Sequence, residues 1–284
     1  MTERFLITGA TLPTGERADL LLADGVIAEV GGIADAAGAT VVDADGLLAL
    51  PGLVDLHTHL REPGYEQSET VLTGTQAAAA GGFTAVFAMA NTFPVADTAG
   101  VVEQEASLGR DAGYATVQPI GAVTVGLKGE QLAELGAMAR SRANVRVFSD
   151  DGFCVSDPLL MRRALEYVKA FDGVIAQHAQ EPRLTQGAQM NEGALSGELG
   201  LAGWPAVAEE SIIARDIRPA QQAGLDDRGV HDRQRGLVAD HAVRGRVPLA
   251  LLGLDRVRRV VGGDDVDGAV GERGAQRGDV FRLA

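Results

Sequence analysis

Val54-Asp55-Leu56-His57-Thr58-His59 is the stretch from which the rest of the chain is read. In a strand, successive side chains point to opposite faces. Asp55, His57 and His59 therefore share one face, and Val54, Leu56 and Thr58 the other. Two imidazoles at i and i+2, at the carboxyl end of a strand, can hold one metal ion. The competing reading is a surface strand with two solvated histidines. The flanks Pro51-Gly52 and Arg61-Glu62-Pro63-Gly64 favour the metal reading.

Working outward, apolar strands are expected at 53–59, 83–90, 116–124, 145–149 and 173–178. They alternate with helical stretches at about 66–80, 97–113, 130–142 and 157–170, judged by period and breakers. Asp157 is placed to cap the last of these, with Pro158 in its first turn. Repeated strand–helix units of this length predict a parallel sheet with helices outside, either doubly wound or a (β/α)8 TIM-type barrel. Five units lie before residue 180, and a further helix is expected over 205–216. A complete barrel needs about three more units, and the remaining residues do not show their alternation. Ahead of the units, residues 1–50 read as a small β-element. Phe5-Leu6-Ile7 starts a strand, and Asp24-Gly25 between two apolar runs signals a hairpin. Thr40-Val41-Val42 followed by Asp45-Gly46 repeats that pattern.

The 284 residues are 46% apolar and 23% charged, which excludes fibrous and wholly disordered classes. No apolar run approaches the ~18 residues of a membrane span. The single cysteine, Cys154, fits a reducing, cytoplasmic compartment. The net charge of −14 argues against nucleic acid as a partner. That average hides a break. Residues 217–284 hold 12 Arg, no Lys, nine Asp and one Glu, and no Ser, Thr, Asn, Tyr, Trp, Met or Cys. At the rate of the first 216 residues, about seven Ser or Thr would be expected there. Selection for a fold rarely removes every hydroxyl residue while keeping a dozen Arg. A wrong-frame or wrong-strand reading of GC-rich DNA does so, and 217–284 is expected to be out of frame or disordered; the alternative is a genuine low-complexity or variant domain.

Several stretches carry a family resemblance. Residues 51–64, Pro-Gly-Leu-Val-Asp-Leu-His-Thr-His-Leu-Arg-Glu-Pro-Gly, resemble the signature of dihydroorotases of the amidohydrolase superfamily. Ala80-Gly81-Gly82-Phe83-Thr84 and Met89-Ala90-Asn91-Thr92 resemble that family's second strand, Phe148-Ser149-Asp150-Asp151-Gly152 its fourth and Ala176-Gln177-His178 its fifth. The resemblance covers about residues 1–216 and is to the bacterial type I enzymes. It implies an amidohydrolase barrel, incomplete in this chain, over 51–216 behind the β-element.

The resemblance also implies a site. His57 and His59 would hold a first zinc ion, Asp151 would bridge two, and His178 would hold the second. Residue types alone leave Asp150 and Asp151 open; the family's spacing selects Asp151, with Asp150 bonded to a nearby loop. Arg61 and Asn91 would bind a substrate carboxylate, the guanidinium as a two-pronged donor. The implied reaction is reversible conversion of dihydroorotate and water to N-carbamoyl-L-aspartate, in pyrimidine synthesis. A hydantoinase- or allantoinase-like hydrolase is the alternative enzyme. The non-enzyme alternative is a scaffold for aspartate transcarbamoylase, and homo-oligomers are also compatible. The family supplies one more zinc-binding His and a catalytic Asp from later strands. His231, His241, Asp264 and Asp265 occupy that region without the family's pattern. A core role for His178, an inert Cys154, a core Trp204 and a solvated Glu209-Glu210 are the plainer expectations.

Overall fold

Asp24 and Gly25 both adopt left-handed backbone, φ 53° and 74°, which is what a two-residue hairpin turn requires. They join β2 (Arg17–Ala23) to β3 (Val26–Gly31), and β2 also pairs antiparallel with β1 (Arg4–Thr11). The structure, a computed structural model, describes residues 4–33, 35–222 and 280–282. The second expected hairpin differs. β4 (Thr40–Asp43) and β5 (Leu48–Leu50) do not pair with each other; both run parallel along β1. The Asp45-Gly46 turn is thus a jog in one edge, held because Ala44 N donates to Thr8 O and Thr11 N to Leu47 O. Ile7, Ala10, Leu20, Leu22, Ala44 and Ala49 form the buried face of this sheet.

From Leu53 the units alternate as their patterning predicts. β6 (Leu53–Thr58), α1 (Val71–Ala80), β7 (Phe83–Ala88), α2 (Ala99–Ala112) and β8 (Thr116–Pro119) come first. α3 (Leu135–Arg140), β9 (Val147–Phe148), α4 (Pro158–Val168) and β10 (Val174–Ile175) follow. β6, β7 and β8 form a parallel sheet, β9 and β10 a second parallel pair, and a parallel bridge from Gly121 to Phe148 links the two. Five strands therefore lie side by side in chain order. Every strand is shorter than expected at its carboxyl end. There the backbone leaves the ladder for the loops that carry the polar residues.

α4 shows how the units hold together. Asp157 accepts from Leu160 N at 2.6 Å and Pro158 fills the first turn. Met161, Ala164, Leu165 and Val168 then recur on one buried face. That face meets Phe148, Leu135, Met138 and Ile175 in the main core, where burial of each large side chain is worth about 2 kcal/mol.

Past β10 the chain makes β11 (Met190–Asn191), α5 (Ala194–Leu199), β12 (Gly203–Trp204) and α6 (Val207–Gln222). α6 runs beyond the expected end at 216, and Ala220 still packs into the main core. Trp204 is 37% exposed instead of core; among the described residues β12 pairs with the short β11 alone. β13 (Val280–Arg282) adds to the free edge of β5. No helix among the described residues is long and apolar enough to cross a membrane.

Candidate metal centre

β6 delivers His57 within the strand and His59 one residue beyond its end. The two rings stand edge to face with centroids 5.2 Å apart. Asp55 accepts from His57 N at 3.0 Å, which steadies the strand end. Asp151 arrives from the loop after β9, sequence-distant but spatially opposite. His57 Nε2 lies 3.3 Å from Asp151 Oδ1, and His59 Nε2 lies 3.5 Å from Asp151 Oδ2. One ligand atom from each of these three residues falls within 4.8 Å of the others. His178, three residues past the end of β10, brings Nδ1 to 3.9 Å from Asp151 Oδ1.

Asp150 takes the loop-anchoring role expected of it. Its Oδ1 accepts from Val123 N at 2.8 Å and Thr124 N at 3.0 Å, and its Oδ2 accepts from the Thr124 hydroxyl. Burial pushes its carboxyl pKa upward against those bonds. Below the cluster, Gln177 bonds both the N–H and the carbonyl of Val155 and donates to buried Asp216 of α6 at 3.1 Å. This knot ties the Asp151 loop, the end of β10 and α6 together.

Arg61 and Asn91 sit on two stitched loops. Phe93 N donates to Pro63 O at 3.0 Å, and Glu62 Oε2 accepts from Val71 N at the start of α1. Gly64, at φ 101°, lies so close to the Phe93 carbonyl that a Cβ there would collide with it. Asn91 Oδ1 is 3.0 Å from His59 Nδ1, and its Nδ2 donates to Asp151 Oδ2 at 3.4 Å. Its amide is thus turned toward the histidine–aspartate cluster. The His59 pKa is lowered, first by burial and also by the nearby Arg61 charge, with the Asn91 bond opposing.

The donor set fits a cation. Asn91 Oδ1 accepts the Nδ1 hydrogen of His59, so His59 Nε2 presents a lone pair to a carboxylate oxygen. Two acceptors face each other at 3.5 Å, an arrangement that a cation between them relieves, and burial disfavours a proton as that cation. Two imidazoles with one carboxylate suit zinc by ligand type. Cys154, whose thiol pKa burial raises, takes no part in this cluster. His231, His241, Asp264 and Asp265 lie outside the described residues. Gln180 was not singled out by sequence. It bonds His178 Nε2 at 2.7 Å, and its place two residues after a strand-end histidine is the only signal.

A dihydro-orotase-like family model matches residues 46–227. The chain is 84% identical over 222 residues to a dihydroorotase of Leifsonia xyli subsp. xyli, covering 78% of this chain and 51% of that protein. It is 70% identical over 219 residues to the dihydroorotase of Streptomyces coelicolor, covering 77% and 51%. Against the dihydroorotase of Mycobacterium tuberculosis the figures are 55% over 225 residues, 79% and 52%. Among solved structures, an L-hydantoinase from Arthrobacter aurescens superposes with TM-score 0.62 at 19% identity, covering 79% of this chain and 51% of that one. A dihydropyrimidinase from Brevibacillus agri gives 0.56 at 20% identity, covering 78% and 50%. These two likenesses speak to fold alone. The chain spans about half the length of the curated relatives it matches. A match over well more than half of its residues, joined to such identities, makes this chain a member of the dihydroorotase-like family.

Proposed function

We propose that this chain carries the metal-bearing part of a zinc-dependent cyclic amide hydrolase that interconverts dihydroorotate and N-carbamoyl-L-aspartate. The observation that carries the reading is the convergence of His57, His59 and Asp151, with His178 beside them, at the carboxyl ends of parallel strands. Catalytic residues collect at that end of barrel enzymes. The five units are read as a segment of such a barrel. His57 and His59 would hold one zinc, Asp151 would bridge, and His178 would serve a second. The chemistry bound zinc supplies here is a lowered water pKa and a polarised ring carbonyl.

The chain's own residues set the rest. Arg61 is assigned the substrate carboxylate, which its guanidinium can grip with two parallel bonds. Asn91 gives one amide hydrogen to Asp151; the other is assigned to the same carboxylate. Such a grip favours a ring bearing a carboxylate over a plain hydantoin. The family places a further His ligand and the proton-carrying Asp on later strands. Their absence from 217–284 in recognisable form supports reading that segment as a frame-shifted product.

The test is metal content. Purified full chain should retain zinc after dialysis, and a His57→Ala/His59→Ala variant should lose it. Equal zinc in both would remove the site assignment.

A further inference from the structure

Hydrogen accounting around His178 leads to a role for Gln180. The Thr185 hydroxyl donates to the Glu181 carbonyl at 3.1 Å. With its one hydrogen committed, buried Thr185 can only accept from Gln180, whose Nε2 lies 2.9 Å from Oγ1. The amide is thereby oriented. Its Oε1, a pure acceptor, faces His178 Nε2 at 2.7 Å. The ring hydrogen of neutral His178 must therefore sit on Nε2, leaving the Nδ1 lone pair toward Asp151 Oδ1 at 3.9 Å.

We propose that Gln180, oriented by Thr185, is a positioning residue that selects the tautomer of His178 and so presents Nδ1 to the cation site at Asp151. The proposal rests on the metal reading above for its purpose, but not for its geometry. The opposite side of the site supplies a counterpart. Asn91 Oδ1 takes the hydrogen of His59 Nδ1, and its Nδ2 is fixed by donating to Asp151. There the amide selects the other tautomer and leaves Nε2 inward. Two amides thus dictate opposite tautomers for two histidines flanking one carboxylate. Each ring approaches Asp151 by a different nitrogen, so each needs its own selection. Partners of this kind orient metal-binding imidazoles and typically govern affinity by 10–100-fold.

The experiment is long-range 1H–15N NMR of the zinc-free full chain, labelled at histidine, at a pH where imidazole is neutral. His178 is assigned by its loss in His178→Gln. Wild type should show a protonated Nε2 and a bare Nδ1. Gln180→Leu should give a mixture of tautomers. Gln180→Glu, which keeps an acceptor for Nε2–H, should restore the wild-type pattern. Thr185→Val, which frees the amide to flip, should also give a mixture while Thr185→Ser does not; this pair serves if Gln180→Leu fails to fold. A protonated Nδ1 in wild type, or an unchanged pattern in both Gln180→Leu and Thr185→Val, overturns the proposal. Zinc titrations then separate it from the metal reading. Binding weakened about tenfold or more in Gln180→Leu and kept in Gln180→Glu supports both. Wild type with the expected tautomer but no zinc binding overturns the metal reading and leaves the selection by Gln180 supported.

Discussion

Glu105 of α2 is almost wholly enclosed beneath the loop that carries Asn91. Thr92 Oγ1 lies 2.9 Å from the Pro94 carbonyl and 3.3 Å from Glu105 Oε1. The Thr92 hydroxyl is shared between the two acceptors, and its bond to Glu105 opposes the effect of burial without outweighing it. Burial pushes the pKa of Glu105 up to about 8, and its Oε2 meets no hydrogen-bond partner among the described residues. The raised pKa makes folding take up a proton once the unfolded carboxylate has ionised. The stability this group contributes is therefore whole below about pH 4.5, the ordinary value, and is lost as pH rises through about 8. At ~1.4 kcal/mol per unit, the loss is on the order of a few kcal/mol. Glu105→Gln should flatten the fall in melting temperature between those limits, and an unchanged slope would show that Glu105 does not titrate there. Helical periodicity puts Glu105, unlike Glu103, on the stripe of Val101, Val102, Ala106 and Gly109, but does not foretell how completely it is enclosed. The enclosure depends on a loop folding back over α2, a long-range fact. His57 and His59, by contrast, were legible because strand alternation is local and puts both rings on one face. The side of the loop on which Asp151 falls was not local, and only the family's spacing favoured it over Asp150.

At the scale of elements, the helices and strands followed their periodicity, while the joints between them did not announce themselves. The stitching of the Arg61 and Asn91 loops turns on Gly64, where left-handed backbone and contact with Phe93 coincide. Gly64→Ala should cost at least about 2 kcal/mol in urea unfolding, strain and collision adding together. Gly187 has a similar backbone, φ 73°, with nothing within 4 Å of where a Cβ would lie. Gly187→Ala should cost only about 1 kcal/mol. Equal losses would mean that the two loops do not approach so closely. The jog between β4 and β5 was misread as a hairpin for a related reason. Asp-Gly marks a tight turn, but which strand accepts the next segment is decided by β1, whose edge was open to both.

At the scale of the molecule, the compositional break near residue 217 was the plainest signal in the sequence, and α6 and the family match both run a little past it, to 222 and 227. If residues 217–284 are a frame-shifted product, the expected later His and the proton-carrying Asp are missing together. Loss of a general acid–base alone costs roughly 10²–10⁴-fold. The chain should therefore turn over dihydroorotate at least about a thousandfold more slowly than a frame-corrected version, both with added zinc and followed by ultraviolet absorbance. Comparable rates would direct attention to His241, Asp264 and Asp265.

The cluster of His57, His59 and Asp151 has one more consequence, in the statistics of the chain itself. Its two sides are separated by roughly ninety residues of sequence, so a cation held between them acts as a clasp on a long loop. The unfolded chain would have to close that loop to bind the ion as tightly, at a large loss of freedom. Binding of such a cation would be nearly confined to the native state, and each increment of it would pull the folding equilibrium that way. Stripping the ion would loosen everything between the clasped ends, so the metal would act as a keystone for three successive βα units as well as a reagent.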